Sequence, residues 1–155
     1  MITYRGITWG EVLPIWRDQL WVGRQSPIEP CSAMTFMGHG TEYSHEPSYM
    51  DELPFFIGAF DDNHLVGVNS GHPTGTSFRS RGIWVDPDYR GSGIAKSLYT
   101  RTIRHARNRR FSHIWALPRG GASLALHERL GFIKCSDFFD QDMEFGPNCY
   151  VSLTL

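Results

Sequence analysis

The stretch IWVDPDYRGSGIA, from Ile83 to Ala95, constrains the fold of this chain more than any other part of its sequence. Its first three residues are strong strand formers, and Asp86-Pro87-Asp88 ends the strand because a proline cannot donate to a β-ladder. Two glycines then free the backbone just before a helical pattern begins at Ile94. The unpaired N–H groups of a helix start and the positive end of its dipole attract anions. The stretch therefore predicts a strand, a phosphate-binding loop and a helix.

The glycines of this loop do not match the two best-known phosphate fingerprints. The chain contains no Gly-x-x-x-x-Gly-Lys-Ser/Thr sequence, and Gly91-Ser92-Gly93-Ile94-Ala95-Lys96 lacks a third glycine in the dinucleotide position. Physical reasoning alone therefore predicts only a ligand that carries phosphate. Arg90-Gly91-Ser92-Gly93-Ile94-Ala95 does resemble, at every fixed position, the Gln/Arg-x-x-Gly-x-Gly/Ala signature that binds acetyl-CoA in the GNAT superfamily of N-acetyltransferases.

The sequence around the loop carries the same resemblance. The family places a Val-x-Pro-x-Tyr-Arg-Gly lead-in before the loop, which is here Val85-Asp86-Pro87-Asp88-Tyr89-Arg90-Gly91. It places a Leu-Gly-Phe further along the chain, which is here Leu130-Gly131-Phe132. The resemblance is specific from Ile83 to Phe132, and outside that range it rests on the order of the predicted elements.

The resemblance implies that acetyl-CoA binds as a co-substrate. In related proteins its pyrophosphate lies on the glycine loop. Its pantetheine arm lies as a pseudo-strand beside the strand before the loop, where backbone N–H groups hold the thioester oxygen. The implied cofactor-binding residues are Ile83, Trp84, Val85, Arg90, Gly91, Ser92, Gly93, Ile94, Ala95 and Lys96. No metal is implied.

The resemblance also points to His127 as the catalytic residue. Family members most often place a Tyr near the sulfur, four residues before the glycine of Leu-Gly-Phe, and His127 occupies that position here. An imidazole can give a proton to the departing thiolate near neutral pH, whereas the alternative is a helix residue with no catalytic task. An apolar stripe of Ala122, Ala125, Leu126 and Leu130 predicts that His127 stands beside the stripe and faces the cleft.

Two other positions depart from the family pattern. Gly120 or Gly121 stands where relatives carry an Asn that binds the cofactor, and the strand before the loop has no Glu to act as general base. His72, His113 or a chain of water molecules could take the role of the base. The identity of the base stays open.

The arginines of the chain allow more than one interpretation. Strand alternation places Arg81 on the same face as Ile83 and Val85, where it is either a solvated arginine or a contact for an acceptor with a carboxylate or phosphate. From Arg90 to Arg110 there are seven Lys or Arg and no acid, which raises nucleic-acid binding as an alternative. No aromatic residues interleave with the arginines of the run from Arg101 to Arg110 and the net charge is −1, so we prefer a solvated helix face.

Length and composition describe one globular unit. The 155 residues leave room for a single domain, 1–155, and a hydrophobic content of 41% with 20% charged residues is typical of a soluble protein. No apolar run is long enough to span a membrane. The start of the chain lacks the layout of a secretion signal, so we expect a cytoplasmic location. Cys31, Cys135 and Cys149 are odd in number and widely spaced, which favours reduced thiols.

The order of predicted elements gives the fold class. A short strand and a helix that contains Pro14 open the chain, and three strands then form an antiparallel meander before the glycine loop. A helix with Ile94, Leu98, Ile103 and Ala106 on one face connects the loop to a parallel strand. A last helix and a hairpin follow. The prediction is an α/β (α+β) fold with a mixed, largely antiparallel sheet of six to seven strands flanked by helices.

The residues from Ser26 to Pro54 have no regular period. A segment of this kind is usually functional, and in proteins that resemble this one it helps form the acceptor side of the cleft. We expect the acceptor to contact this segment and residues 137–148, whose acids Asp137, Asp140, Asp142 and Glu144 would attract a cationic amine. A metal site at His39, Glu42, His45 and Glu46 is a weaker alternative because their spacing matches no compact ligand motif.

The sequence is therefore identified as a member of the GNAT superfamily. The resemblance implies an N-acetyltransferase that moves the acetyl group of acetyl-CoA to an amine by direct transfer in a ternary complex. The acceptor would be a small molecule or a peptide, and a homodimer is compatible with the sequence. A catalytically idle acyl-CoA-binding module is the main alternative, since the usual Tyr, Asn and strand Glu are missing.

Overall fold

A computed structural model describes residues 1–32, 54–140 and 143–155 of the chain. Within these residues the strands are β1 (Ile2–Gly6), β2 (Phe55–Asp61), β3 (His64–Thr74), β4 (Ser77–Val85), β5 (His113–Ala116), β6 (Ile133–Lys134) and β7 (Val151–Thr154). The helices are α1 (Trp9–Ile15), α2 (Ile94–Asn108) and α3 (Gly121–Arg129), with a π-helical turn at Trp16–Leu20 and a 3₁₀ turn at Pro87–Tyr89. None of the described helices combines the length and apolar character that a membrane span requires.

The seven described strands form one sheet in the order β1-β2-β3-β4-β5-β7-β6. Only β4 and β5 pair in parallel, and every other neighbouring pair is antiparallel. Helix α2 makes the crossover between the parallel pair and covers one face, while α1 and the π-helical turn cover the other. The predicted mixed, largely antiparallel sheet with flanking helices is confirmed.

Helix α1 ends one residue after Pro14, and the chain continues as a π-helical turn. Thr8 caps α1, since its hydroxyl accepts a hydrogen bond from the Glu11 N–H at 3.2 Å while Glu11 Oε1 accepts from the Thr8 N–H at 3.1 Å. Pro14 lies inside α1, and the helix gives way to the π-helical turn directly after Ile15. A proline removes one backbone hydrogen bond and crowds the preceding turn, which accounts for the short helix. The change of type turns Trp16 into the core, where it is fully buried.

A β-bulge interrupts β4, the strand that leads to the predicted phosphate loop. Two residue steps of β3, from Val68 to Ser70, match three steps of β4, from Trp84 to Arg81. The extra residue falls at Gly82, whose φ of +79° lies in the left-handed region. A Cβ at Gly82 would overlap the indole of Trp16, and Trp16 Nε1 donates to the Gly82 carbonyl at 2.9 Å. The bulge is therefore fitted to a side chain that lies far away in the sequence.

The bulge also changes the face on which Arg81 lies. Its guanidinium carbon is 4.9 Å from the ring centroid of Trp16, on the α1 side of the sheet. Ile83 and Val85 pack with Ile94 on the opposite, α2 side. The prediction that Arg81 shares a face with Ile83 and Val85 is wrong, because simple alternation assumes an unbroken ladder.

Helix α3 turns a different side towards the core from the one that its sequence predicts. Its one buried residue is His127, with 3% of its surface exposed, whereas Ala122 is exposed and Leu126 is half-buried. The His127 ring makes edge-to-face contacts with Tyr99 and Phe132, at centroid distances of 4.9 and 5.2 Å. The predicted apolar stripe is only partly right: Leu126 and Leu130 pack against the core and also line a cavity, but the buried position belongs to His127, which lies against the rings of Tyr99 and Phe132.

The C-terminal hairpin closes the sheet as predicted, with shorter strands. Strand β7 inserts between β5 and β6, and its partner β6 contains only two residues. This arrangement places the 143–148 segment above the end of β5, because the Asn148 amide Nδ2 donates to the Leu117 carbonyl at 2.8 Å. The segment becomes one wall of the cavity described below.

Candidate functional site

The predicted phosphate loop has the backbone of an anion site. Gly91 and Gly93 adopt φ values of +84° and +83°, and a Cβ at either position would meet no atom within 4 Å. Gly93 is the N-cap of α2, and the first turn of that helix contains no acid. Ser92 is held in the loop by a hydrogen bond from its hydroxyl to the Tyr89 carbonyl at 2.6 Å. The helix start is therefore open, and its positive dipole end has no carboxylate to neutralise it.

A cavity of about 510 Å³ lies against this loop. Its walls come from the end of β4, the loop, the first turn of α2 and the outer side of α3. The lining residues are Val85, Tyr89, Arg90, Gly91, Gly93, Ile94, Ala95, Lys96, Ala122, Leu126, Arg129 and Leu130. Three cations, Arg90, Lys96 and Arg129, surround the helix start, and Arg129 was not among the predicted residues. The only sequence signal for it is its position on the helix that leads to Leu-Gly-Phe.

The strand before the loop has a free edge beside this cavity. Strand β4 pairs with β5 only through Ser77, Phe78 and Arg79, so within the described residues the edge from 80 to 85 has no strand partner on that side. The side chains of Ile83 and Val85 line cavities, whereas that of Trp84 is buried among Trp16 and Val68 on the α1 side. Trp84 can contribute to a ligand only through its backbone, and the bulge at Gly82 leaves one residue out of the ladder.

A second cavity, of about 520 Å³, lies in the gap between β4 and β5. It reaches from the π-helical turn on one face of the sheet to α2 and α3 on the other. The lining residues are Leu20, Trp21, Arg24, Ser26, Ser32, Arg79, Ser80, Arg81, Gly82, Ile83, Tyr99, Ala116, Leu117, Pro118, Arg119, Ser123, His127, Met143, Glu144, Phe145 and Asn148. We call it the gap cavity. The free edge of β4 thus separates a phosphate-type cavity from one lined by titratable groups.

His127 lies in the wall of the gap cavity and is bound to Tyr99. Its Nδ1 is 2.6 Å from the Ser123 carbonyl oxygen and must carry the proton, because a carbonyl can only accept. Its Nε2 then accepts from the Tyr99 hydroxyl at 2.7 Å. Burial lowers the pKa of His127 and raises the pKa of Tyr99, so both are neutral near pH 7. The predicted residue is therefore present at the cavity, but it starts as a proton acceptor.

Sequence reasoning missed Tyr99. Helix α2 buries Tyr99 and Thr102 in addition to the predicted Ile94, Leu98, Ile103 and Ala106. The signal was present, because Tyr99 precedes Ile103 by four residues and so shares its face. Its hydroxyl also hydrogen-bonds Ser80, whose Oγ accepts from Asn69 Nδ2 at 3.2 Å. The site thus contains a chain of polar groups that runs from the middle of the sheet to α3.

Two buried arginines stand on the other side of the gap cavity. Arg79 and Arg81 are 8% and 7% exposed, and burial lowers their pKa values to about 10 and about 9. Both remain charged at neutral pH. Arg81 is held between Trp16 and Trp21, at 4.9 and 5.0 Å from the ring centroids, and donates to the Glu29 carbonyl at 2.7 Å. No ion pair joins either arginine to a carboxylate of the described residues.

Neither histidine proposed as a base reaches the two cavities. His72 is fully buried in β3, where its Nε2 accepts from the Ser32 N–H at 3.2 Å. His113 lies at the start of β5, paired with Thr154 at the far end of the sheet. Neither side chain lines either cavity, although His72 bonds Ser32, which does line the gap cavity. Water and the Tyr99–His127 pair remain as routes for a proton.

The predicted acceptor segments supply part of the gap cavity. Among the acids from 137 to 148, Glu144 lines the cavity, Asp137 and Asp140 do not, and Asp142 lies outside the described residues. The Glu144 carboxylate accepts from the backbone N–H groups of Gln25 and Ser26 and from the Ser26 hydroxyl, the last at 2.7 Å. These hydrogen bonds lower the pKa of Glu144, which makes its carboxylate a poor base. They also connect the 143–148 segment to the loop at Gln25 and Ser26.

The proposed metal ligands, His39, Glu42, His45 and Glu46, lie outside the described residues. Within residues 1–32, 54–140 and 143–155, no three His, Cys, Asp or Glu side chains come together as a metal site.

The sequence profile of the Acetyltransferase (GNAT) family matches residues 27–132. An uncharacterized N-acetyltransferase of Methanocaldococcus jannaschii is 38% identical over 52 residues, which make up 32% of this chain and 23% of that protein. The matched stretch therefore spans less than a quarter of the relative's length.

Solved structures share the fold at low sequence identity. The IAA acetyltransferase of Bacillus cereus superposes over 100% of both chains, with a TM-score of 0.69 and 17% identity. The PaiA N-acetyltransferase of Thermoplasma acidophilum, solved in complex with coenzyme A, superposes with a TM-score of 0.57 and 16% identity. The superposition covers 68% of this chain and 63% of that one. A ribosomal-protein-alanine N-acetyltransferase of Brucella melitensis superposes with a TM-score of 0.58 and 24% identity, over 66% of this chain and 69% of that one. The family profile covers β4, the glycine loop and Leu130-Gly131-Phe132, and it matches more than half of the chain. The chain therefore belongs to the GNAT family of acetyltransferases.

Proposed function

We propose that this chain is a single N-acetyltransferase domain that transfers the acetyl group of acetyl-CoA to an amine by direct attack in a ternary complex. The observation that carries the proposal is the free edge of β4, which has a phosphate-type cavity at one end and the gap cavity at the other. Family membership and the glycine loop support acetyl-CoA as the co-substrate. Two cavities that meet at one backbone edge suit a reaction between two separately bound molecules.

The residues at the loop would hold the co-substrate's phosphates. The N–H groups at the start of α2 would donate to the pyrophosphate, and Arg90, Lys96 and Arg129 would balance its charge. The pantetheine arm would then lie along the edge of β4 between Ile83 and Val85. Backbone N–H groups near the bulge would donate to the thioester oxygen and stabilise the negative charge that develops there.

Tyr99 and His127 would move the proton that the reaction displaces. When the amine nitrogen bonds to the thioester carbon, the nitrogen must lose a proton and the sulfur must gain one as the C–S bond breaks. Neutral His127 could take the proton through the Tyr99 hydroxyl, which lies 2.7 Å from its Nε2, and return it to the sulfur by the same route. The hydrogen bond from Nδ1 to the Ser123 carbonyl would stabilise the imidazolium that forms in between. The predicted role of His127 as the acid thus becomes the second half of a shuttle.

We also propose that the enzyme is located in the cytoplasm. All three cysteines are free, which fits a reducing compartment such as the cytoplasm.

Consumption of acetyl-CoA against a panel of amines tests the proposal. We expect an acetylated acceptor, detected by mass spectrometry, in amounts equal to the CoA released. The control omits the amine, because Cys135 is only half-buried and could itself react slowly with the thioester. Tight binding of acetyl-CoA without acceptor-dependent release of CoA across the panel would instead identify an idle acyl-CoA-binding module.

A further inference from the structure

The gap cavity contains buried polar atoms that no described residue satisfies. Among residues 1–32, 54–140 and 143–155, five buried side-chain nitrogen or oxygen atoms have no hydrogen-bond partner: Asn69 Oδ1, Ser77 Oγ, Arg79 Nε, Arg79 Nη1 and Asn148 Oδ1. Three of these five atoms belong to Arg79 and Asn148, and both side chains line the gap cavity. Native proteins rarely leave such atoms unpaired, so their concentration at one cavity points to a ligand.

The chemistry of these atoms specifies the ligand. The two free nitrogens of Arg79 are donors of a charged guanidinium, a group that binds carboxylates and phosphates. Asn148 Oδ1 is an acceptor, and its orientation is fixed because the Nδ2 of the same amide already donates to the Leu117 carbonyl. A molecule that satisfies both would present an anion to Arg79 and an N–H to Asn148.

The charge around Arg79 supports an anion. Arg79 stacks over Trp115 at 5.2 Å and lies close enough to Arg81 for the two guanidiniums to repel each other. Burying two like charges in one cavity is costly unless an anion compensates them. Arg24 and Arg119 line the same cavity, so the local charge is strongly positive even with Glu144 at the rim.

The phosphates of acetyl-CoA do not explain these arginines. Neither Arg79 nor Arg81 lines the cavity at the glycine loop. Six residue steps along β4 separate Arg79 from Val85, which is about 20 Å of extended strand. The pyrophosphate loop begins beyond Val85, so an anion bound by Arg79 would belong to the other substrate.

We infer that the acceptor is an amine that also carries an anionic group, a carboxylate or a phosphate, which Arg79 binds with support from Arg81. The inference rests on the proposed function and defines its acceptor class. Asn148 Oδ1 would accept from the acceptor's own N–H and orient the amine within the gap cavity. The earlier expectation of a simple cationic amine attracted by acids is replaced, because the one described acid in the cavity already holds Gln25 and Ser26.

Matched pairs of acceptors test the inference. The panel contains the twenty common amino acids with their carboxamides, phosphoethanolamine with ethanolamine, and an uncharged peptide with a free α-amine. We expect kcat/KM for the best anionic acceptor to exceed that of its neutral partner by about thirtyfold or more. In Arg79→Gln this ratio should fall to near one, while Arg104→Gln, at an exposed position on α2, should keep it. The amino acids and phosphoethanolamine separate the two sources of the anion.

Both kcat/KM values of the ratio are measured on the same protein sample. Incomplete folding of Arg79→Gln lowers them equally and leaves the ratio unchanged. A neutral amide or the uncharged peptide that reacts as well as its anionic counterpart would overturn the inference and leave the proposed function standing. If no amine consumes acetyl-CoA, the proposed function fails, and thermal melts with the N-acetyl amino acids and their amides decide the inference separately. Stabilisation by the acid only, lost in Arg79→Gln, supports the anion site, whereas equal shifts for acid and amide, or none for either, overturn it.

Discussion

Replacing Gly93 by alanine separates the backbone strain of the glycine loop from its role in binding. Gly93 has a φ of +83°, and a Cβ there would contact no atom of the protein within 4 Å. Gly93→Ala should therefore fold, with only the left-handed strain of about 1–2 kcal/mol to lower its stability. For a domain of this size that corresponds to a melting temperature lower by about 2–8 °C.

Gly23 provides a matched control. Its φ is +77°, its Cβ would also meet no atom within 4 Å, and it lines neither cavity. Gly23→Ala should lose about as much stability as Gly93→Ala, because the strain has the same origin. The two variants should differ only in their response to acetyl-CoA.

The expected difference follows from linkage. Acetyl-CoA at one hundred times its Kd stabilises the wild type and Gly23→Ala by about 2.7 kcal/mol. A methyl group at Gly93 would disturb at least one charge-assisted hydrogen bond to phosphate, worth about 1.5–3 kcal/mol. Affinity would fall about 10- to 150-fold, and the same acetyl-CoA concentration would stabilise Gly93→Ala by only about 0.3–1.4 kcal/mol. Equal ligand-induced shifts in all three proteins, measured by thermal melts, would refute the placement of the pyrophosphate on this loop.

Three further outcomes test the site. His127→Phe should lower kcat by about a hundredfold and change the KM for acetyl-CoA far less, and wild-type turnover where chemistry limits the rate would show that His127 moves no proton. Because burial lowers the folded pKa of His127, the unfolded state binds its proton more readily, so stability should fall as pH drops below about 6.5. Thermal melts at several pH values should show a smaller loss of stability in His127→Phe, and His105, whose pKa burial also lowers, contributes to the loss that remains. Gly82→Ala should lose about 2–5 kcal/mol in denaturant titrations, from overlap with Trp16 and left-handed strain, whereas the loss in Gly91→Ala should stay within about 2 kcal/mol.

Much of the fold was predictable because its signals are local. The antiparallel meander follows from apolar runs separated by turn residues, and the start of α2 at Ile94 follows from the glycines before it. The phosphate loop was predictable for the same reason, since positive φ and an uncapped helix start are properties of neighbouring residues. The resemblance to a family then supplied the identity of the phosphate ligand, which the physics of the loop leaves open.

The predictions that failed depended on contacts between distant parts of the chain. The face of Arg81 depends on a bulge that Trp16 fits from 66 residues away. The inner side of α3 was assigned from its apolar residues, yet the aromatic rings of Tyr99 and Phe132 beneath it bury His127 instead. His72 and His113 were candidate bases by residue type alone, and the folded chain leaves both side chains out of the linings of the two cavities.

The sequence by itself determined the order of the strands and helices, the open helix start at Gly93 and the presence of an imidazole four residues before Gly131. Each of these depends on short-range preferences of the backbone that residue identity sets directly. Only the tertiary structure decided how the site is charged and protonated. The gap between β4 and β5 brings Arg79, Tyr99 and His127 to one cavity, and burial there fixes which groups carry a proton and which keep a charge. Ionisation depends on desolvation and on neighbours from several different parts of the chain, so these protonation states exist only once the chain has folded.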